Sequence, residues 1–187
     1  MRVNLYEQLN SACKLIKSGG IVAYPTEAVF GLGCDPMNEH AVQRLSEIKK
    51  RPQNKSYILI ADNFARLRPF CAPIDDLRWQ RVKQDWPGPY TWVFPATELC
   101  PRWLCDKEIG IAVRVTAHPI AAALCNLCGH ALVSTSANLS GETPAKTWQE
   151  VEATLNDAVD YIVCGDVSDP TGKPTVIRNA TSGERIR

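Results

Sequence analysis

Apolar positions along the chain alternate between spacings of three to four residues and short continuous runs, the signatures of amphipathic helices and of buried strands. A first helix is expected over residues 4–18, ended by Gly19-Gly20, because glycine tolerates the left-handed backbone beyond a helix end. Residues 21–24 read as a short buried strand stopped by Pro25. A second helix is expected over 38–50, where Asn38 is a good N-cap and Ala41, Val42, Leu45 and Ile48 share a face. Residues 57–61 read as strand, 62–69 and 75–85 as helical pieces, and 90–95 and 110–115 as strands rich in β-branched and aromatic side chains. Pro119 opens a helix running to Cys128, since its missing N–H costs nothing in a first turn. The remaining elements are a strand over 131–135, a helix over 147–156, and strands over 160–163 and 175–178. The stretch from Tyr24 to Gly33 reads as a strand running into a loop. Strands separated by helices predict a partly parallel sheet covered on its faces.

Composition narrows this picture without altering it. At 187 residues the chain suits one domain, residues 1–187, able to bury its own core. A formal net charge of +1 argues against a strongly basic nucleic-acid binder and leaves only a local basic patch. The first seven residues carry no apolar run, and no apolar stretch approaches the roughly 18 residues of a membrane helix. A soluble, cytoplasmic protein is expected.

Eight cysteines raise a metal or disulfide reading. The nearest pair, Cys125 and Cys128, is followed by Gly129 and His130. A c-type haem site needs the histidine directly after the second cysteine, and a closed zinc site needs a fourth ligand. Both cysteines instead share an apolar helical stripe with Ala121 and Leu124. Buried, reduced thiols and no structural metal are expected.

Four segments could carry chemistry. In Leu132-Val133-Ser134-Thr135-Ser136-Ala137-Asn138-Leu139-Ser140-Gly141 an apolar strand runs into hydroxyls and an amide. Strand alternation puts Ser134 and Ser136 on one side, with Asn138 in line if the chain stays extended. They serve either a ligand at a strand end or their own turn. In Glu47-Ile48-Lys49-Lys50-Arg51-Pro52, cations close a helix and complement its dipole. Lys49 leans toward the buried stripe, whereas Lys50 shares the polar face with Gln43 and Glu47. An inward lysine needs an anionic partner, either an acidic side chain or a bound phosphate, and Arg51 could reach the same anion.

The third segment places Thr26 and Glu27 at a strand exit, before a Gly31-Leu32-Gly33 that lacks the rest of a dinucleotide fingerprint. The fourth holds Arg114 inside an apolar strand, where it must grip a carboxylate from protein or ligand. His118, beside the helix start, reads as a cap or surface residue. No Gly-x-Ser-x-Gly elbow supports serine hydrolysis.

Taken in order, these segments resemble the YrdC/TsaC family of threonylcarbamoyl-AMP synthases. The carriers are Ala23-Tyr24-Pro25-Thr26-Glu27, Lys49-Lys50-Arg51, Trp86-Pro87-Gly88-Pro89 with Thr91, Ala112-Val113-Arg114-Val115-Thr116 with His118-Pro119, and Ser134 through Gly141. The resemblance implies the short, single-domain form: α/β, a twisted open mixed sheet with flanking helices and a concave ligand cleft. It implies joining L-threonine, bicarbonate and ATP into threonylcarbamoyl-adenylate and pyrophosphate, a nucleotidyltransferase reaction aided by Mg²⁺. Partner proteins then pass the group to tRNA beside the anticodon. Lys49 and Arg51 would be catalytic, and both would bind ATP with Ser136, Asn138 and Arg187, while Thr26, Arg114 and Ser134 would hold threonine. The chain departs from the family pattern at Gln53-Asn54-Lys55 and at Pro174-Thr175-Val176, where Ser-Thr-Val is usual. The competing reading is a non-catalytic module for double-stranded RNA or tRNA, using Lys49, Lys50, Arg51, Lys55, Arg78, Arg81 and Lys83.

Overall fold

The computed structural model describes residues 4–50, 56–105, 109–170, 172 and 175–187. Helix α1 (Leu5–Lys17) begins at a capping box, in which Asn4 and Glu7 each accept from the other's backbone N–H. It ends at Ser18, and Gly19 follows with φ 89°, the left-handed conformation expected of a glycine there. Strand β1 (Val22–Pro25) and strand β2 (Phe30–Gly33) form an antiparallel pair. Helix α2 (Glu39–Ile48) starts at Asn38 as expected, and Lys49 caps its other end.

Strand β3 (Ile58–Ala61) leads into two 3-10 turns, Phe64–Arg66 and Arg68–Phe70, where a helical piece was expected. Pro69, with no N–H to donate, keeps them short. Helix α3 (Asp76–Asp85), strands β4 (Tyr90–Phe94) and β5 (Ile111–Val115), helix α4 (Pro119–Cys128) and strand β6 (Leu132–Ser136) follow. Helix α5 (Trp148–Leu155) and strands β7 (Tyr161–Ile162) and β8 (Val176–Asn179) complete the order.

The eight strands form a single mixed sheet in the order β7-β1-β2-β6-β3-β5-β4-β8. Strand β6 runs antiparallel to both neighbours, β2 and β3, while β3 and β5 are parallel. The stretch expected as a loop is thus a central strand. Its glycines explain both facts, because a Cβ at Gly33 would lie 2.6 Å from Val133 O and 2.8 Å from the Tyr24 ring. Glycine within a strand often marks such a close approach.

One sheet face buries Phe30, Leu32, Leu59, Val113 and Val133 against Ala41, Val42 and Leu45 of α2 and Val151 of α5. The other buries Val22, Tyr24, Ile60 and Leu132 under α1 and α4, through Leu9, Ile16, Ala121 and Leu124. Cys125 and Cys128 lie in this second layer as free thiols, as expected, and burial pushes the Cys125 thiol well above its usual range. Among the described residues no group of His, Cys, Asp or Glu is arranged to hold a metal. No helix among them is long and apolar enough to cross a membrane.

Candidate ligand cleft

Strand alternation carries the second face beyond its helices. Ile58 lies two residues before Ile60, and Ser134 and Ser136 lie beyond Leu132 on the same side, with Ile58 paired to Ser134 and Gly31 to Ser136. Over them opens a cavity of about 430 Å³, which Thr26, Gly31, Arg114, Ser134, Ser136 and Arg187 help to line. Lys146, Thr175 and Gly172 complete its walls from two later loops.

The β1–β2 connection sets one side. Thr26 donates its backbone N–H and its hydroxyl to the same acceptor, Val29 O, at 3.1 and 2.7 Å. Its Oγ1 therefore offers the cavity lone pairs, which suit a ligand hydroxyl or amine. Gly31 provides the floor, where a Cβ would come within 3.2 Å of both Ser134 Oγ and Thr26 Cγ2.

Arg114 and Ser134 are 7% and 5% exposed, so both reach the ligand space from within the sheet. Arg114 donates from Nη1 to Thr175 Oγ1 at 2.9 Å, and its Nη2 faces Glu27 Oε2 at 3.7 Å. Glu27 is anchored through its other oxygen, which accepts from Thr116 Oγ1 at 2.7 Å and Ala117 N at 3.1 Å. Arg114 Nε and Glu27 Oε2 are both buried without a hydrogen bond. Burial alone would raise the Glu27 carboxyl, but the Arg114 charge and the Thr116 and Ala117 donors hold it below its usual value. The carboxylate required by a strand-embedded arginine thus comes first from the protein, with donors left over for a ligand.

Beyond β6 the chain turns through Ser136-Ala137-Asn138. Ser136 Oγ donates to Asn138 Oδ1 at 2.7 Å, and Asn138 Nδ2 donates to Leu139 O and Glu142 O. Lys49 is 4% exposed, turned inward as its spacing implied. Its ammonium donates to Ser136 O, to Asn138 O at 2.8 Å and to Asn138 Oδ1 at 2.9 Å. The structure thereby places Lys49 and Asn138 in the wall behind Ser136. Arg51 lies outside the described residues.

His118 caps α4, with Nδ1 facing Ala121 N and Nε2 3.0 Å from Asp166 O. It is 2% exposed, so the cap alternative holds and the surface alternative falls. Lys146 was missed because nothing in its local sequence marks it. It reaches the cleft only because its loop folds toward Pro170, whose carbonyl accepts from Lys146 Nζ at 2.6 Å.

Residues 14–187 match the Sua5/YciO/YrdC family model, which carries the description telomere recombination. The chain belongs to this family. Two relatives called threonylcarbamoyl-AMP synthase are similar along almost their whole lengths. The one from Coxiella burnetii is 44% identical over 181 residues, 97% of each chain. The one from Nitrosococcus oceani is 45% identical over 176 residues, 94% of this chain and 95% of that one. Among solved structures, P. abyssi Sua5 complexed with L-threonine has a TM-score of 0.86 at 30% identity. That comparison covers 96% of this chain but only 52% of the longer Sua5 protein. The mixed sheet with its flanking helices is thus the Sua5/YciO/YrdC fold, as the motifs implied.

Proposed function

We propose that this Sua5/YciO/YrdC chain is a threonylcarbamoyl-AMP synthase, forming threonylcarbamoyl-adenylate and pyrophosphate from L-threonine, bicarbonate and ATP. The observation that carries this reading is the pairing, in one cleft, of a buried arginine with unspent donors and a polar turn at the end of β6. Arg114 takes the threonine carboxylate with its guanidinium, whose planar fork suits a carboxylate. Thr26 and Ser134 meet the amine and side-chain hydroxyl. The nucleotide phosphates lie toward Ser136 and Arg187, with Lys49 and Asn138 supporting that wall, and Arg51 is assigned to them by the family motif alone.

The chemistry requires no covalent enzyme nucleophile. Bicarbonate gives CO₂ and hydroxide. The threonine amine adds to the CO₂ and its released proton joins the hydroxide as water, leaving a carbamate whose oxygen attacks the α-phosphorus. The bond from that phosphorus to the bridging oxygen breaks, and pyrophosphate leaves with its electron pair. Catalysis is then alignment of reactants and neutralisation of phosphate charge. Mg²⁺ bound with the nucleotide would offset charge on its phosphate oxygens. Partner proteins accept the adenylate for tRNA modification in the cytoplasm.

The decisive measurement is pyrophosphate release with ATP, bicarbonate and a panel of amino acids. Release should require both threonine and bicarbonate, and ATP turnover indifferent to threonine would sink the reading. Arg51→Ala should slow turnover by about 100-fold or more, whereas Lys50→Ala, on an exposed residue after α2, should do little. The RNA-binding alternative loses part of its basic surface. Lys49 is buried, Arg78 pairs with Asp75 at 2.9 Å, and Lys83 stands over the Trp79 ring.

A further inference from the structure

Lys49 stands directly behind the cleft wall, where its ammonium holds one turn. Its ammonium donates to Ser136 O, Asn138 O and Asn138 Oδ1, while its own carbonyl accepts from Ser140 N at 3.1 Å. An ammonium carries three N–H groups and no acceptor. Three acceptors on the turn therefore occupy all three, and no proton remains for a ligand while they hold. Ser136, which does line the cleft, has also spent its proton, on Asn138 Oδ1 at 2.7 Å.

A phosphate oxygen can only accept. Ser136 can serve one only if its hydroxyl rotates away from Asn138, and an acceptor inside a wall is costly to leave without a donor. Lys49 removes that cost, because its ammonium remains on Asn138 Oδ1 when the hydroxyl departs. We propose that Lys49 is a positioning residue that stays on the Ser136–Asn138 turn and frees the Ser136 hydroxyl to donate to a nucleotide phosphate. This rests on the synthase reading above. It moves Lys49 from the phosphate's immediate contacts to the layer behind, where its charge still favours an anion.

A double-mutant cycle separates the two roles. ATP affinity, by titration calorimetry, and kcat/KM for ATP, by pyrophosphate release, would be measured for native protein, Lys49→Met, Ser136→Ala and the double variant. Lys49→Met should cost about 100-fold in kcat/KM in the native background, yet less than about threefold once Ser136 is alanine. Ser136→Thr, which keeps a hydroxyl, should restore the full sensitivity. An equal loss in both backgrounds would mean direct phosphate contact and overturn the proposal.

Should Lys49→Met fail to fold, the native protein supplies the test through its ¹⁵N-labelled ammonium. A slowly exchanging Lys49 signal should be present in free protein and persist under saturating ATP. Coupling of that signal to ³¹P, or its loss without ligand, would contradict the assignment. A native protein that releases no threonine-dependent pyrophosphate sinks the synthase reading, and this proposal with it. A working enzyme with an additive cycle sinks the proposal alone.

Discussion

Arg114 lies buried in β5, with Nε unpaired and Nη2 3.7 Å from Glu27, a spacing too long for a hydrogen bond. Lysine keeps the charge but cannot present two parallel donors. Arg114→Lys should therefore raise the KM for threonine by about 10-fold or more while changing that for ATP little, as steady-state kinetics would read. Glu27 orients Arg114, and its folded-state carboxyl lies below the usual value. Its stabilising contribution is thus complete above the unfolded glutamate value of about 4.3 and is lost as pH falls through the lower folded value. Thermal melts from pH 7 down to pH 3 should show a shallower acid decline for Glu27→Gln than for native protein. An identical decline would remove Glu27 from the pairing. Residue-level legibility was uneven: Lys49 and Arg114 declared themselves as charges that had to point inward, whereas Lys146 enters the cleft through loop geometry that no local pattern encodes.

At the level of elements, capped helices were the most legible. Asn38 accepts the N3 backbone donor as expected, and Asp75 and Thr147, which the sequence reading did not single out, do the same, Thr147 within a capping box. Strand β2 was the least legible, because Phe-Gly-Leu-Gly carries two residues that ordinarily weaken strands. Its glycines exist for their neighbours, making room for the Tyr24 ring and for the residues over the cleft floor. Gly33→Ala should destabilise the fold by about 1–3 kcal/mol, read as a lowered melting temperature. Gly31→Ala meets looser contacts and should act on the ligand instead, weakening threonine more than glycine in the amino-acid panel.

Across the whole molecule, all eight cysteines are free, and six of them are buried. Cys164 is exposed and Cys105 half-buried, whereas burial pushes the Cys34 thiol up to about 12. Iodoacetamide at pH 7.5 should therefore modify Cys164 first, with full labelling only after denaturation, as mass spectrometry of intact and digested protein would reveal. Sheet order was the part of the fold the sequence could not supply. It depends on contacts between distant strands such as β2 and β6, and β2 lies in a stretch whose own pattern reads as a strand running into a loop.

The Arg114–Glu27 pairing also bears on what can block the cleft. A guanidinium that already faces its own carboxylate is not a bare positive hole. A spherical anion such as chloride gains less there, since it must share the charge and can meet two neighbouring N–H groups only through bent hydrogen bonds. A planar carboxylate held at the correct angle uses both. The cleft should accordingly remain open to an amino acid in a salt-rich medium, because shape, more than charge, decides what binds in front of Arg114.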